Sequence, residues 1–243
     1  MKRFLRQIIL LALLFYSRSV SAQRYELGIM GGGANMIGDV GSTQYINPDS
    51  PAAGILFRWN NSMRYAWRAS VMHTNLRAED RLSNDPYRKL RGYTAQNSLT
   101  SLSLGLEFNY RNFNLHRFGG QWSPYLFSGV TIYQSNAEVT NPNNIVEPDF
   151  NRYDEISSST GLAIPLGIGV KWRPKTYLVF GLESTLHATF TDNLDGSNPD
   201  NHKFANPNPG DYFGNPNSQD WFLWTGLTLT YTFGQKPCVE CYK

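Results

Sequence analysis

From Leu102 to Tyr110 every second residue is apolar or aromatic, with Ser103, Gly105, Glu107 and Asn109 in between. A two-residue period puts alternate side chains on opposite faces of a strand, so Ser98 to Tyr110, with Leu99 out of step, reads as a strand with one greasy face. The alternation recurs over Leu162, Ile164, Leu166, Ile168, Val170 and Trp172, and again over Leu223, Thr225, Leu227, Leu229, Tyr231 and Phe233. Weaker copies span Tyr25 to Met36, Ala53 to Trp59, Tyr65 to Asn75, Pro124 to Gln134 and Tyr177 to Thr189, which makes eight candidate strands. Most are near the roughly 9 to 11 residues that a tilted strand needs to cross hydrocarbon. An even number can close on itself, and closure matters in lipid because an open sheet edge finds no hydrogen-bond partner there. The predicted fold is all-β: an eight-stranded antiparallel up-and-down outer-membrane β-barrel with long extracellular loops, over residues 23–234.

The connections carry an independent signal. The second, fourth and sixth (Asn60 to Arg64, Arg111 to Ser123, Arg173 to Thr176) are short to moderate. The first, third, fifth and seventh (Ile37 to Ala52, Leu76 to Asn97, Ser135 to Thr160, Phe190 to Asp220) are long and rich in Asn, Asp, Pro and Ser. Short turns at one end and long loops at the other are the habit of outer-membrane barrels, and a soluble sandwich has no reason to sort its loops this way.

Residues 1–22 have the form of a secretory leader: basic Lys2, Arg3 and Arg6, an apolar stretch from Ile8 to Tyr16, and Val20-Ser21-Ala22 as a cleavage site after Ala22. The chain's formal charge of +3 includes four leader cations and no leader acid, so the mature chain carries +3 minus 4, or −1. That balance, without a basic stripe, predicts no nucleic-acid partner. A mean hydropathy of −0.41, with no apolar run of roughly 18 residues, excludes a bundle of membrane-spanning helices.

Tyr25, Trp59, Trp67, Tyr110, Tyr125, Trp172, Tyr177 and Tyr231 fall near the strand ends that border the termini and short turns, and read as a periplasmic aromatic girdle. Aromatic side chains also favour strands in general. If Leu104, Leu106 and Phe108 face lipid, the same parity sends Glu107, Arg58, Arg68, Lys171 and Glu183 into the lumen. The interior of an eight-stranded barrel is only just filled by side chains, so buried charges must pair there, and the expectation is a plugged lumen, not a diffusion pore. Arg58 and Lys171, each one residue from a girdle Trp, are the two that strand-end water could solvate instead.

Catalytic chemistry finds little footing. His73 and His187 fall near outer strand ends and His202 lies in the longest loop, among many Ser and Asp residues. There is no nucleophile elbow, no histidine pair at metal spacing and no phosphate loop, since Gly31 to Gly33 opens no helix and no Lys-Ser/Thr follows. No enzyme activity and no cofactor are expected. Cys238 and Cys241 form a lone CxxC that suits a local disulfide or oxidisable thiol pair better than zinc, which wants four ligands.

The strings ELGIMGGGANMIGDVG from Glu26, PAAGILFRWN from Pro51, WRAS from Trp67, RGYTAQNS from Arg91, SLGLEFNY from Ser103, PYLFSGV from Pro124, AIPLGIGVKW from Ala163 and TYTFGQKPC from Thr230 resemble the PorG-type outer-membrane barrels of the type IX protein secretion system, which is also linked to gliding motility. The resemblance covers nearly the whole mature chain. It implies a structural part in protein transport, with the barrel tying a periplasmic ring, built of a lipoprotein and its partner, to the outer membrane. The tail, residues 235–243, and the turn Arg111 to Trp122 would then face the periplasm, which makes Asn112, His116, Arg117 and Lys236 the candidate docking residues beside the outer-membrane lipids. The alternatives are a small barrel for adhesion or envelope stability, and a soluble secreted all-β binding protein.

Overall fold

The computed structural model describes residues 24–115, 119–140, 154–155, 159–175, 177–191, 194–195 and 218–234. The leader, the tail with Lys236, Cys238 and Cys241, and His116, Arg117 and His202 lie outside the described residues. Eight long strands form the wall: β1 (Arg24–Ile37), β2 (Ser50–Asn60), β3 (Tyr65–Glu79), β4 (Thr94–Asn109), β5 (Gln121–Thr140), β6 (Ser159–Lys175), β7 (Leu178–Thr189) and β8 (Trp221–Gly234). Each pairs antiparallel with its sequence neighbours, and β1 pairs with β8 from Arg24↔Gly234 to Ile37↔Trp221, so the sheet closes as an up-and-down barrel. A two-residue strip, Asp154–Glu155, adds to the outer end of β5.

Following one row of partners through Tyr25, Trp59, Trp67, Leu106, Ser128, Leu166, Leu186 and Leu223, the path returns to β1 at Asn35. That stagger of ten residues (35 minus 25), at roughly 3.3 Å per residue against eight inter-strand spacings of about 4.8 Å, tilts the strands by about 40° from the axis.

The alternation sorts the faces as it predicts, but the result is inverted relative to a water-soluble protein. Every strand turns large apolar side chains outward: Ile29, Ile55, Val71, Leu104, Val130, Ile168, Leu182 and Leu227 are all well exposed, Ile168 and Leu227 by 64% and 65%. Arg58, Glu107 and Lys171 point inward and are 0% exposed. Leaving a large apolar side chain in water forgoes roughly 1.5–3 kcal/mol, and here the loss would be repeated round the whole wall. Acyl chains remove it. The barrel is a membrane-spanning one, and the soluble alternative has no solvent for its outer face.

Two features differ from the sequence reading. The wall is taller on one side, with β3 reaching Glu79, β4 starting at Thr94 and β5 continuing to Thr140. Outward residues above the apolar belt are polar there, but the inward set Leu76, Ala78, Ala95 and Leu99 stays buried and holds the strands together. The offset of Leu99 marks this change, because it faces inward while Leu102 faces out. The third connection, expected only as a long loop, also contains a short helix, α1 (Pro86–Arg91). Asp85 caps it by accepting a hydrogen bond from the Tyr87 backbone N–H, Pro86 fits the first turn, and Gly92 ends it at φ 72°.

Candidate functional site

Three inward carboxylates organise the lower lumen, near the short turns. Glu107 on β4 accepts from Arg58 Nε at 2.7 Å and from Lys171 Nζ at 2.6 Å. Arg58 also reaches Glu26 on β1 at 3.1 Å, and Glu26 further accepts from Asn60 Nδ2 at 2.9 Å and Thr230 Oγ1 at 2.7 Å. Glu183 on β7 takes Arg68 Nη1 and the Tyr125 hydroxyl, each at 2.5 Å, and Thr185 Oγ1 at 2.6 Å. The Arg68 guanidinium lies 4.4 Å from the centre of the Phe127 ring, and Lys171 Nζ 4.5 Å from that of Phe113. An isolated charge buried here would be prohibitive, so each carboxylate bridges at least two donors.

The five lumen charges named from sequence thus share one layer, joined by Glu26 and Tyr125, which the sequence pattern had not placed there. Glu26 was legible, since it sits between outward Tyr25 and Leu27. Tyr125 is a correction to the girdle: it is 0% exposed, shares the inward parity of Ser123 and Phe127, and uses its hydroxyl on Glu183. Inward Gly169 makes its room, because a Cβ there would lie 2.6 Å from the Tyr125 ring. The other girdle residues hold the outer surface: Trp67, Tyr110, Trp172, Tyr177 and Tyr231 are about half exposed, with Tyr25 and Trp59 more covered, and Tyr65 and Trp122 extend the band.

Above the charges a cavity of about 10 Å³ lies among Arg68, Ser101, Ser103, Glu183, Thr185 and His187, room for roughly one water. Above that an apolar cluster of Met30, Leu56, Met72, Leu76, Leu99, Tyr133, Phe222 and Trp224 fills the lumen, with Asn35, Thr74, Asn97 and Thr189 also buried on the inward faces. His187 belongs to this plug, stacked on Phe222 at 4.3 Å, and so does not stand on an outer rim. His73 does: it faces outward beside Thr100 Oγ1 at 2.9 Å.

Among the described residues, loop contacts cross both ends of the lumen. At the long-loop end, buried aspartates lace separate loops. Asp195 accepts from the backbone N–H groups of Asp39 and Val40, and Asp220 from those of Leu194 and Asp195. Asp80 takes the Gly41 N–H and both Arg91 Nε and Nη2. At the short-turn end the β4–β5 turn folds inward: Phe113 and Leu115 are buried, and Arg173 Nη1 donates to the Leu115 carbonyl at 2.8 Å. Asn112 stays exposed, accepting from Arg64 Nε at 2.9 Å.

A barrel with a filled, charge-bearing lumen, an apolar exterior and no group of three or more metal-ligating side chains among the described residues has the form of an envelope protein of the up-and-down class. The family model described as a domain of unknown function, DUF6089, matches residues 2–242. The chain belongs to that family. No curated protein matches it. Among solved structures it is similar to Ail, the attachment invasion locus protein of Yersinia pestis in complex with the heparin analogue sucrose octasulfate, at 12% identity and a TM-score of 0.47, covering 88% of this chain and 100% of that one. It is also similar to a major outer membrane protein from Thermus thermophilus (12%, TM-score 0.48, 88% and 100%). A third likeness is to the N-terminal β-barrel domain of Pseudomonas aeruginosa OprF (10%, TM-score 0.41, 88% and 98%).

Proposed function

We propose that this barrel is a non-enzymatic structural component of the outer membrane that works from its rims, not through its lumen. The observation that carries the reading is the double filling of the lumen among the described residues, an ion-paired layer below and a buried apolar cluster above. Within that reading, the sequence resemblance supports a place in type IX protein secretion, where the barrel would tie the periplasmic ring lipoprotein and its partner to the membrane. The short-turn end suits an anchor: the Asn109 N–H donates to the Arg64 carbonyl and the Phe113 N–H to that of Met63, so two turns form one stiff platform. Deleting the chain should abolish secretion of type IX cargo and destabilise the ring proteins; normal secretion by the deletion strain would end the proposal. Planar-bilayer recordings of the purified protein should show no large stable conductance.

Exposed Tyr45, Ile46, Tyr87 and Leu90 on the first and third loops favour a second reading, an adhesion or envelope-stability barrel. Full secretion by the deletion strain, together with lost surface attachment or increased detergent sensitivity, would favour it over the first.

A further inference from the structure

The two ends of the barrel carry opposite charge. The four long connections of one end contain fifteen acidic residues against seven Lys and Arg, five of those seven in Leu76 to Asn97. At the short-turn end the reverse holds. Glu26, Glu107 and Glu183, the described carboxylates of that half, are sealed in the lumen, and none reaches the surface. Cations do reach it. Arg64 is exposed in the β2–β3 turn, Arg111 in the β4–β5 turn and Lys175 at the β6–β7 turn, so each short turn presents one.

Their placement relative to the girdle points to a ligand class. Arg64 adjoins Tyr65 in sequence and donates through Nη1 to the Tyr110 carbonyl at 3.4 Å. The Arg111 guanidinium lies 4.4 Å from the centre of the Trp122 ring, and Lys175 stands two residues before Tyr177. Exposed Tyr and Trp rings of a membrane protein sit at headgroup depth. Cations beside them therefore stand where lipid phosphates are, Arg64 and Arg111 together at the adjoining ends of β3 and β4 and Lys175 at the β6–β7 turn.

We propose that the short-turn rim is a collar for anionic phospholipid headgroups of the periplasmic leaflet, with Arg64, Arg111 and Lys175 each engaging a phosphate. It rests on the membrane-spanning reading of the barrel and is independent of any secretory task. The collar and the acidic loops also give the barrel an electrostatic polarity along its axis, favouring one orientation in a membrane whose periplasmic leaflet contains anionic phospholipid.

The test reconstitutes the full chain into nanodiscs of equal phosphatidylglycerol and phosphatidylcholine and measures, by native mass spectrometry, the lipids retained on release. Wild type should retain phosphatidylglycerol over phosphatidylcholine by about 3-fold or more, and the preference should fall as salt rises. The variant R64Q/R111Q/K175Q should retain the two lipids about equally, whereas R64K/R111K/K175R should keep the preference. Heat-modifiable migration verifies folding of both, and if the glutamine variant does not fold, the salt series on wild type decides alone. No preference in wild type, or an undiminished one in the folded glutamine variant, overturns the collar. A protein that co-purifies with wild type and is lost from the glutamine variant, with lipid retention equal in both, would also overturn it and make the rim a protein-docking surface.

Discussion

The lower lumen is closed by Arg58, Lys171 and Arg68 held on Glu107, Glu26 and Glu183. The upper lumen, inside the same eight strands, is closed by Leu99, Tyr133, Phe222 and Trp224 against one another. Both exclude water, but they fail differently. An apolar plug losing a side chain loses contacts and gains a void, in proportion to what was removed. An ion-paired layer losing one carboxylate strands its cations in a medium that cannot solvate them. The lower storey is therefore the more brittle, although it gains little over an apolar filling of the same volume.

That contrast can be broken by substitution. Glu107→Gln strands Lys171 and leaves Arg58 with Glu26 alone, and should cost about 3–5 kcal/mol, read as a fall in the urea midpoint of the barrel folded in lipid vesicles. Replacing Glu107 and Lys171 together by Met leaves Arg58 on Glu26 and should recover most of that loss; no recovery would mean that the layer stabilises by more than mutual compensation. In the upper storey, Leu99→Ala should cost about 2–5 kcal/mol with no rescue by a partner change. Where the storeys meet the wall, Gly169→Ala pushes a methyl into Tyr125 and should cost about 1–3 kcal/mol, relieved by Tyr125→Phe only if the hydroxyl, not the ring, is what clashes. The smallest effect belongs to the loops: Asp85→Ala removes the cap of α1 for about 1 kcal/mol, visible as faster proteolysis of the third connection with the barrel's unfolding midpoint unchanged.

The fold was legible because a wall one residue thick has only two faces. The period of Leu102 to Tyr110, once read as lipid-facing, fixes where Glu107 points, and the loop parity fixes the order of strands. β5 was harder. Tyr125, Phe127 and Tyr133 alternate with Leu126, Val130 and Ile132, so both faces look apolar and hydropathy cannot tell lumen from lipid. The inward group was settled by a partner, the Glu183 carboxylate, which lies on another strand. The loop aspartates were out of reach for the same kind of reason. Asp80, Asp195 and Asp220 act on backbone N–H groups of distant loops or on the chain beside them, and such contacts have no period. The Asp85-Pro86 to Gly92 helix, by contrast, had its start and stop signals in plain sight.

Glu26 and Thr230 are 204 residues apart and meet only when the first and last strands join. A nascent chain, made from its amino end, therefore holds the carboxylate long before its hydroxyl donor has been synthesised. A partly threaded intermediate in hydrocarbon would carry bare polar edges together with an incompletely satisfied acid. Insertion and seam closure are thus thermodynamically one event, and a truncated chain lacking its final strand should remain outside the bilayer as a substrate for periplasmic proteases.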